Sequence, residues 1–151
     1  MAKWTPKRGH SVGAYRSGLE AKNQEWLEKN GIKAEYEMYY VQYTVPESLH
    51  RYTCDFKLPN GIMVETKGIF DADDRKKHML VREQHPELDI RFVFSSSRSK
   101  LYKGSPTSYA TWCEKNGFQY ADKFIPVEWL KEKTKSLPSG ILIPKKQGAK
   151  K

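Results

Sequence analysis

Asp55 and the triplet Glu65-Thr66-Lys67 bring two carboxylates and one ammonium into a span that a single hairpin can fold together. Side chains in a strand alternate between faces, so Glu65 and Lys67 point the same way. Tyr52 to Leu58 and Ile62 to Lys67 read as two strands joined at Pro59-Asn60-Gly61. A three-residue turn at 59–61 sets Asp55 opposite Glu65, whereas a two-residue turn moves the register by one. In the first register both carboxylates and Lys67 share a face. Carboxylates at that distance repel, and a divalent cation removes the cost. With oxygen donors and no paired Cys/His set, Mg²⁺ or Mn²⁺ fits better than Zn²⁺. Such an ion activates water and holds phosphate oxygens. Lys67 could orient or deprotonate that water, or screen charge growing on phosphorus. The same residues also fit an ordinary cross-strand ion pair on an exposed face, which contributes little.

These residues need elements to hold them. Ser17-Gly18-Leu19-Glu20 is a capping box, and helical spacing continues to the Asn30-Gly31 stop, giving a helix over about 17–29. Ala34 to Val45 alternates as a strand ended by Pro46, and Glu47 to His50 reads as a polar connector. Asp71, Asp73 and Asp74 load the start of a helix that runs to about Gln84 before Pro86. Ile90 to Phe94 is a short buried strand, so strand, helix and strand form a crossover between parallel strands. Arg98 to Gly104 is a basic loop. Ser105-Pro106 opens a helix ended by Asn116-Gly117, and Val127 to about Lys133 is a short last helix. The expected architecture is α/β: a small mixed sheet with helices packed on it.

The chain has 151 residues, with 13% aromatic and 38% hydrophobic residues, enough for one folded domain without disulfides or structural metal. No apolar run approaches the roughly 20 residues of a membrane span. The first ten residues lack the apolar stretch of a secretory signal. Two cysteines without a CxxC suit a reducing cytoplasm. The net charge of +9 is concentrated at the ends: Lys3, Lys7, Arg8 and Arg16 on one side, and Lys145, Lys146, Lys150 and Lys151 on the other. Residues 1–16 read as a flexible basic arm, 17–135 as the folded domain, and 136–151 as a mobile basic tail. Basic ends on a near-neutral body suit a polyanion such as nucleic acid, although solubility alone would explain them.

Longer blocks carry a resemblance. They include Val12 to Glu20, Asp55-Phe56, Leu58 to Ile62, Val64 to Gly68, Asp73 to His78, Arg82 to Arg91, Phe94 to Arg98 and Lys100 to Tyr109. Across nearly its whole length the chain resembles endonuclease I of the T-odd phages, Holliday-junction resolvases among the restriction-endonuclease-like PD-(D/E)xK nucleases. The resemblance implies a restriction-endonuclease-like mixed sheet flanked by helices, in a domain-swapped homodimer whose strands cross near 46–50. It implies a Mg²⁺-dependent enzyme, with Mn²⁺ able to substitute, that makes paired cuts in four-way DNA junctions in the cytoplasm of an infected bacterium. Asp55, Glu65 and the Thr66 backbone carbonyl would hold metal, and Lys67 would serve the attacking water. Glu20 from the partner chain would approach a second ion, giving two per site. Read from this sequence alone, Glu20 is a capping residue. Cys54 stands where the family motif has proline, which raises sensitivity to oxidation or thiophilic metals as an expectation.

For DNA contacts the expectation falls on Lys7, Arg8, Arg16 and Ser17 near the start, on Arg75 and Lys76 after the site, and on Arg98, Lys100 and Lys103 in the basic loop. The last two groups equally fit solvated surface. His10, His50, His78 and His85 show no zinc spacing, and no serine-hydrolase or P-loop motif is present. Trp26, Trp112, Trp129 and the tyrosines of 36–43 read as packing residues. Two rival readings remain open: a non-catalytic branched-DNA-binding protein, which would not need the acidic cluster, and a PD-(D/E)xK nuclease of mismatch or restriction-type specificity.

Overall fold

The computed structural model describes residues 17–45 and 48–145. The elements run α1 (Gly18–Lys29), β1 (Glu35–Tyr36), β2 (Tyr39–Val45), β3 (Ser48–Thr53), β4 (Phe56–Lys57) and β5 (Met63–Lys67). Then follow α2 (Ala72–Gln84), β6 (Ile90–Phe94), α3 (Tyr109–Asn116), β7 (Tyr120–Asp122), α4 (Val127–Leu130) and β8 (Ile143–Pro144). A five-stranded mixed sheet has the order β1-β4-β5-β6-β7, antiparallel through β1, β4 and β5 and parallel through β5, β6 and β7. A second, antiparallel sheet has the order β3-β2-β8. Helices flank the large sheet, as an α/β reading requires.

The turn that decides the register has three residues. Leu58 N–H donates to Ile62 O at 2.8 Å, and Phe56 pairs with Val64, which sets Asp55 at the position opposite Glu65. Gly61 has φ +93°, and a side chain there would crowd the Lys135 carbonyl at 3.2 Å, so glycine closes the turn. One core cluster joins Leu27 of α1 to Phe56, Leu58, Ile62, Val64, Val93, Ile125 and Trp129. A second lies between the small sheet and α2, around Val41, Tyr52, Cys54, Met63, Val81 and Ile90. The third is aromatic: Phe70, Phe92, Phe94, Tyr109 and Phe118 with Cys113. Burial of each large apolar side chain contributes roughly 1.5–3 kcal/mol.

Several sequence expectations need correction. The single strand read over Ala34 to Val45 is broken, because Glu37 takes φ +47° and separates β1 from β2. The connector read over Glu47 to His50 is mostly strand: Ser48 to His50 pair with Val45, Thr44 and Tyr43 of the same chain. Pro46 and Glu47 lie outside the described residues. The strand read from Tyr52 to Leu58 is two strands with a bend at Cys54-Asp55. Helix α3 starts at Tyr109 with Ser108 as its cap, not at Ser105-Pro106. Helix α4 stops at Leu130. Strand β7 was not anticipated, and the tail reaches back so that Tyr40 of β2 pairs with Ile143. Among the described residues no helix is long and apolar enough to cross a membrane.

Candidate active site

Helix α1 is placed by polar contacts to the segment before α4. Asn23 Nδ2 donates to Lys123 O at 2.9 Å, Ile125 N–H donates back to Asn23 Oδ1 at 2.8 Å, and Trp26 Nε1 donates to Ile125 O at 2.7 Å. Ser17 Oγ caps the helix by accepting from Glu20 N–H at 3.1 Å. The Glu20 side chain is buried, and its Oε2 accepts from the Tyr36 hydroxyl at 2.5 Å.

Asp55 sits in the bend before β4. Its Oδ2 accepts from Thr66 N–H at 2.9 Å and from Thr66 Oγ1 at 2.8 Å. One carboxylate oxygen each of Glu20, Glu37 and Asp55 lie within 4.8 Å of one another, a donor group that could hold a metal ion. Burial pushes the Asp55 carboxyl well above the ordinary range, and the charges of Glu65 and Glu20 push it further, against the Thr66 hydrogen bonds. The donors are all hard oxygens, so the residues fit a divalent metal of the Mg²⁺ type.

Glu65 and Lys67 emerge from β5, with Oε2 and Nζ 3.7 Å apart. The other Glu65 oxygen, Oε1, accepts from the Tyr52 hydroxyl at 2.8 Å. Lys67 Nζ also donates to Asp74 Oδ1 at 3.1 Å. Asp74 belongs to the capping box of α2: its Oδ2 accepts from Asp71 N–H at 3.3 Å, while its own N–H donates to Asp71 Oδ1 at 2.9 Å. Burial works against the Lys67 charge, but Glu65 and Asp74 outweigh it and raise its pKa, so Lys67 stays an ammonium. The shared face expected for Asp55, Glu65 and Lys67 is therefore only partly realised. Glu65 and Lys67 meet, whereas Asp55 turns to Thr66 and joins Glu20 and Glu37. The reason is local: Asp55 lies outside β4, in a bend that need not keep strand alternation.

Within the chain, a carboxylate oxygen of Glu20 lies within 4.8 Å of one of Asp55. Lys7, Arg8 and Arg16 lie outside the described residues. Arg75 donates from Nη1 to Phe70 O at 2.7 Å, and Lys76 is exposed. Arg98, Lys100 and Lys103 are exposed on the loop after β6. That loop starts beside the site, because Ser95 N–H donates to Lys67 O at 3.1 Å. Cys54 is buried, and burial plus the charges of Glu65 and Asp55 push its thiol well up. It stays protonated, which opposes the oxidation expected of it. Sequence reading missed Glu37, Asp74, Tyr36 and Tyr52. Only Asp74 carried a signal, as a helix-start acid following the Glu-x-Lys triplet.

The family described as phage endonuclease I matches residues 1–150. Endonuclease I of Escherichia phage T7 is 61% identical over 151 residues, covering all of both chains. Endodeoxyribonuclease 1 of Enterobacteria phage T3 is 66% identical over 125 residues, covering 83% of this chain and 82% of its own. A family model matched over residues 1–150 and a relative matched over the full length make this protein a nuclease of the phage endonuclease I family.

Proposed function

We propose that the chain is a metal-dependent endodeoxyribonuclease that resolves four-way DNA junctions by paired cuts in the cytoplasm of the infected bacterium. The observation that carries the proposal is the convergence of buried Glu20 and Asp55 with half-buried Glu37, beside Glu65 and Lys67. A protein that only bound DNA would gain nothing from burying mutually repelling acids. A full-length relative named endonuclease I supports the same reading, and so does a second, matched over 83% of the chain, that is named for DNA cleavage.

Asp55, Glu65 and Glu20 would hold Mg²⁺ or Mn²⁺, with Thr66 offering its backbone carbonyl and two ions per site. When bound, the metal supplies Lewis acidity toward a phosphate and lowers the pKa of water. The chain's residues do the rest. Lys67, held between Glu65 and Asp74, presents a fixed cation where negative charge grows on the phosphate. Thr66 orients Asp55, and the helix cap at Asp71 and Asp74 fixes the partner of Lys67. Ser17, Arg75, Lys76, Arg98, Lys100 and Lys103, with Lys7, Arg8 and Arg16 of the arm, would track the DNA backbone.

A homodimer with exchanged segments explains paired cuts, since two-fold related sites suit two related strands. In it, residues before the 46–47 connector would dock on the partner, so that Glu20 joins the partner's Asp55. The contacts would be the same as those seen within one chain. The test is Glu65→Gln, which keeps shape and removes charge. Junction binding in chelator should persist, while Mg²⁺-dependent cleavage should fall by about 100-fold or more. Cleavage at the wild-type rate would refute the site.

A further inference from the structure

Three site carboxylates share one feature: a neutral donor holds one oxygen of each. Thr66 holds Asp55 Oδ2, Tyr36 holds Glu20 Oε2 at 2.5 Å, and Tyr52 holds Glu65 Oε1 at 2.8 Å. The choice of donor matters. A lysine or arginine would orient a carboxylate and also cancel the charge a cation needs. A phenol orients the oxygen it binds and leaves the charge in place, even where, as in Glu65, the other oxygen lies 3.7 Å from Lys67 Nζ. We propose that Tyr36 and Tyr52 are positioning residues that fix Glu20 and Glu65 for a divalent cation, an inference that rests on the metal-dependent reading above.

The placement of both rings supports it. Tyr52 is 2% exposed, and its ring meets His78 edge-on with centroids 4.9 Å apart. Tyr36 packs against Phe56 at 5.3 Å. Each ring is therefore held by core contacts while its hydroxyl reaches a site acid. Tyr52 lies on β3 of the small sheet and Glu65 on β5 of the large one, so this bond ties the two sheets at the site. Neither pair depends on segment exchange. Glu20 and Tyr36 both precede the 46–47 connector, and Tyr52 and Glu65 both follow it.

The test uses full-length protein stripped of metal, with Mn²⁺ alone as the probe in titration calorimetry. Tyr36→Phe and Tyr52→Phe keep the rings and remove the hydroxyls. Each should raise the Mn²⁺ dissociation constant roughly tenfold, the size expected when an outer hydrogen bond to a metal ligand is lost. Cleavage should recover as Mg²⁺ is raised. Tyr109→Phe serves as the control: its buried hydroxyl accepts from Phe70 N–H and touches no site acid, so its Mn²⁺ affinity should stay at the wild-type value. Wild-type Mn²⁺ affinity in both site variants would overturn the proposal whatever happens to Tm, and so would an equal loss in the control. Wild-type protein that binds no Mn²⁺ would overturn the metal-dependent reading itself.

Discussion

Glu37 is the residue whose role separates a metal site from a folding accident. It adds a third carboxylate to Glu20 and Asp55 within 4.8 Å. Glu37→Gln should therefore raise Tm in chelator by about 2–4 °C, the shift that roughly 1 kcal/mol gives a chain of this size. It should also shrink the rise in Tm that Mg²⁺ produces. Scanning fluorimetry with and without Mg²⁺ checks both, and an unchanged Mg²⁺ response would exclude Glu37 from the site. The meeting of Glu65 and Lys67 was legible in the sequence because strand alternation is a local rule, whereas the bend that turns Asp55 to Thr66 was not. Glu37 was not, because its left-handed backbone makes a kink that its residue type does not announce. Tyr36 and Tyr52 were hidden for another reason: an aromatic in an alternating run looks like packing until its hydroxyl is seen to reach a carboxylate.

At the scale of elements, α1 matters because it carries Glu20. Its anchor is Leu27, fully buried among Phe56, Leu58 and Val64. Leu27→Ala should cost about 2–5 kcal/mol in urea unfolding. A smaller loss would mean that the polar contacts of Asn23 and Trp26 suffice to dock the helix. On the neighbouring strand β6, Arg91 is 1% exposed and pairs with Asp89 at 2.7 Å and with Glu132 at 2.6 Å. Lys135 also pairs with Asp89. Burial works against the Asp89 charge, but hydrogen bonds from Arg91 and Lys135 outweigh it and hold its pKa low. The hydrogen bond from Arg91 does the same for Glu132. A lowered carboxylate stabilises the fold above its unfolded pKa of about 4, and that stability is lost as pH falls through the lowered value. Asp89→Asn should therefore lower Tm near neutral pH, and the gap from wild type should close on acidification. A constant gap across a Tm series from pH 7 downward would contradict this. Pro59-Asn60-Gly61 located the β4–β5 hairpin but left two registers open, of which the structure takes the three-residue turn. The β2–β3 pairing was not readable, because polar residues at Ser48 to His50 resemble a connector when their partner strand is unknown.

At the scale of the molecule, the family was legible from long blocks of sequence, whereas the quaternary arrangement is a property of no single chain. If segments exchange across the 46–47 connector, each site takes Glu20 from one chain and Asp55 and Glu65 from the other. Co-expressed Glu20→Gln and Glu65→Gln chains would then form heterodimers with one intact site and one doubly altered site. Nicking of one strand should return in the mixture although each variant alone is inactive. No recovery would place Glu20 and Asp55 of one site on one chain. A solution mass equal to a single 17.6 kDa chain would exclude the dimer outright. The net charge of +9 adds a further expectation: junction affinity should fall linearly on a log–log plot against salt. The account as a whole rests on metal-dependent cutting directed by branch shape. Its most direct test is wild-type cleavage of a labelled four-way junction beside a linear duplex of matched sequence, each with Mg²⁺ and with chelator. Paired cuts near the branch, in the junction and only with Mg²⁺, are predicted. Equal cutting of both substrates, or tight junction binding with no cutting under Mg²⁺ or Mn²⁺, would contradict it.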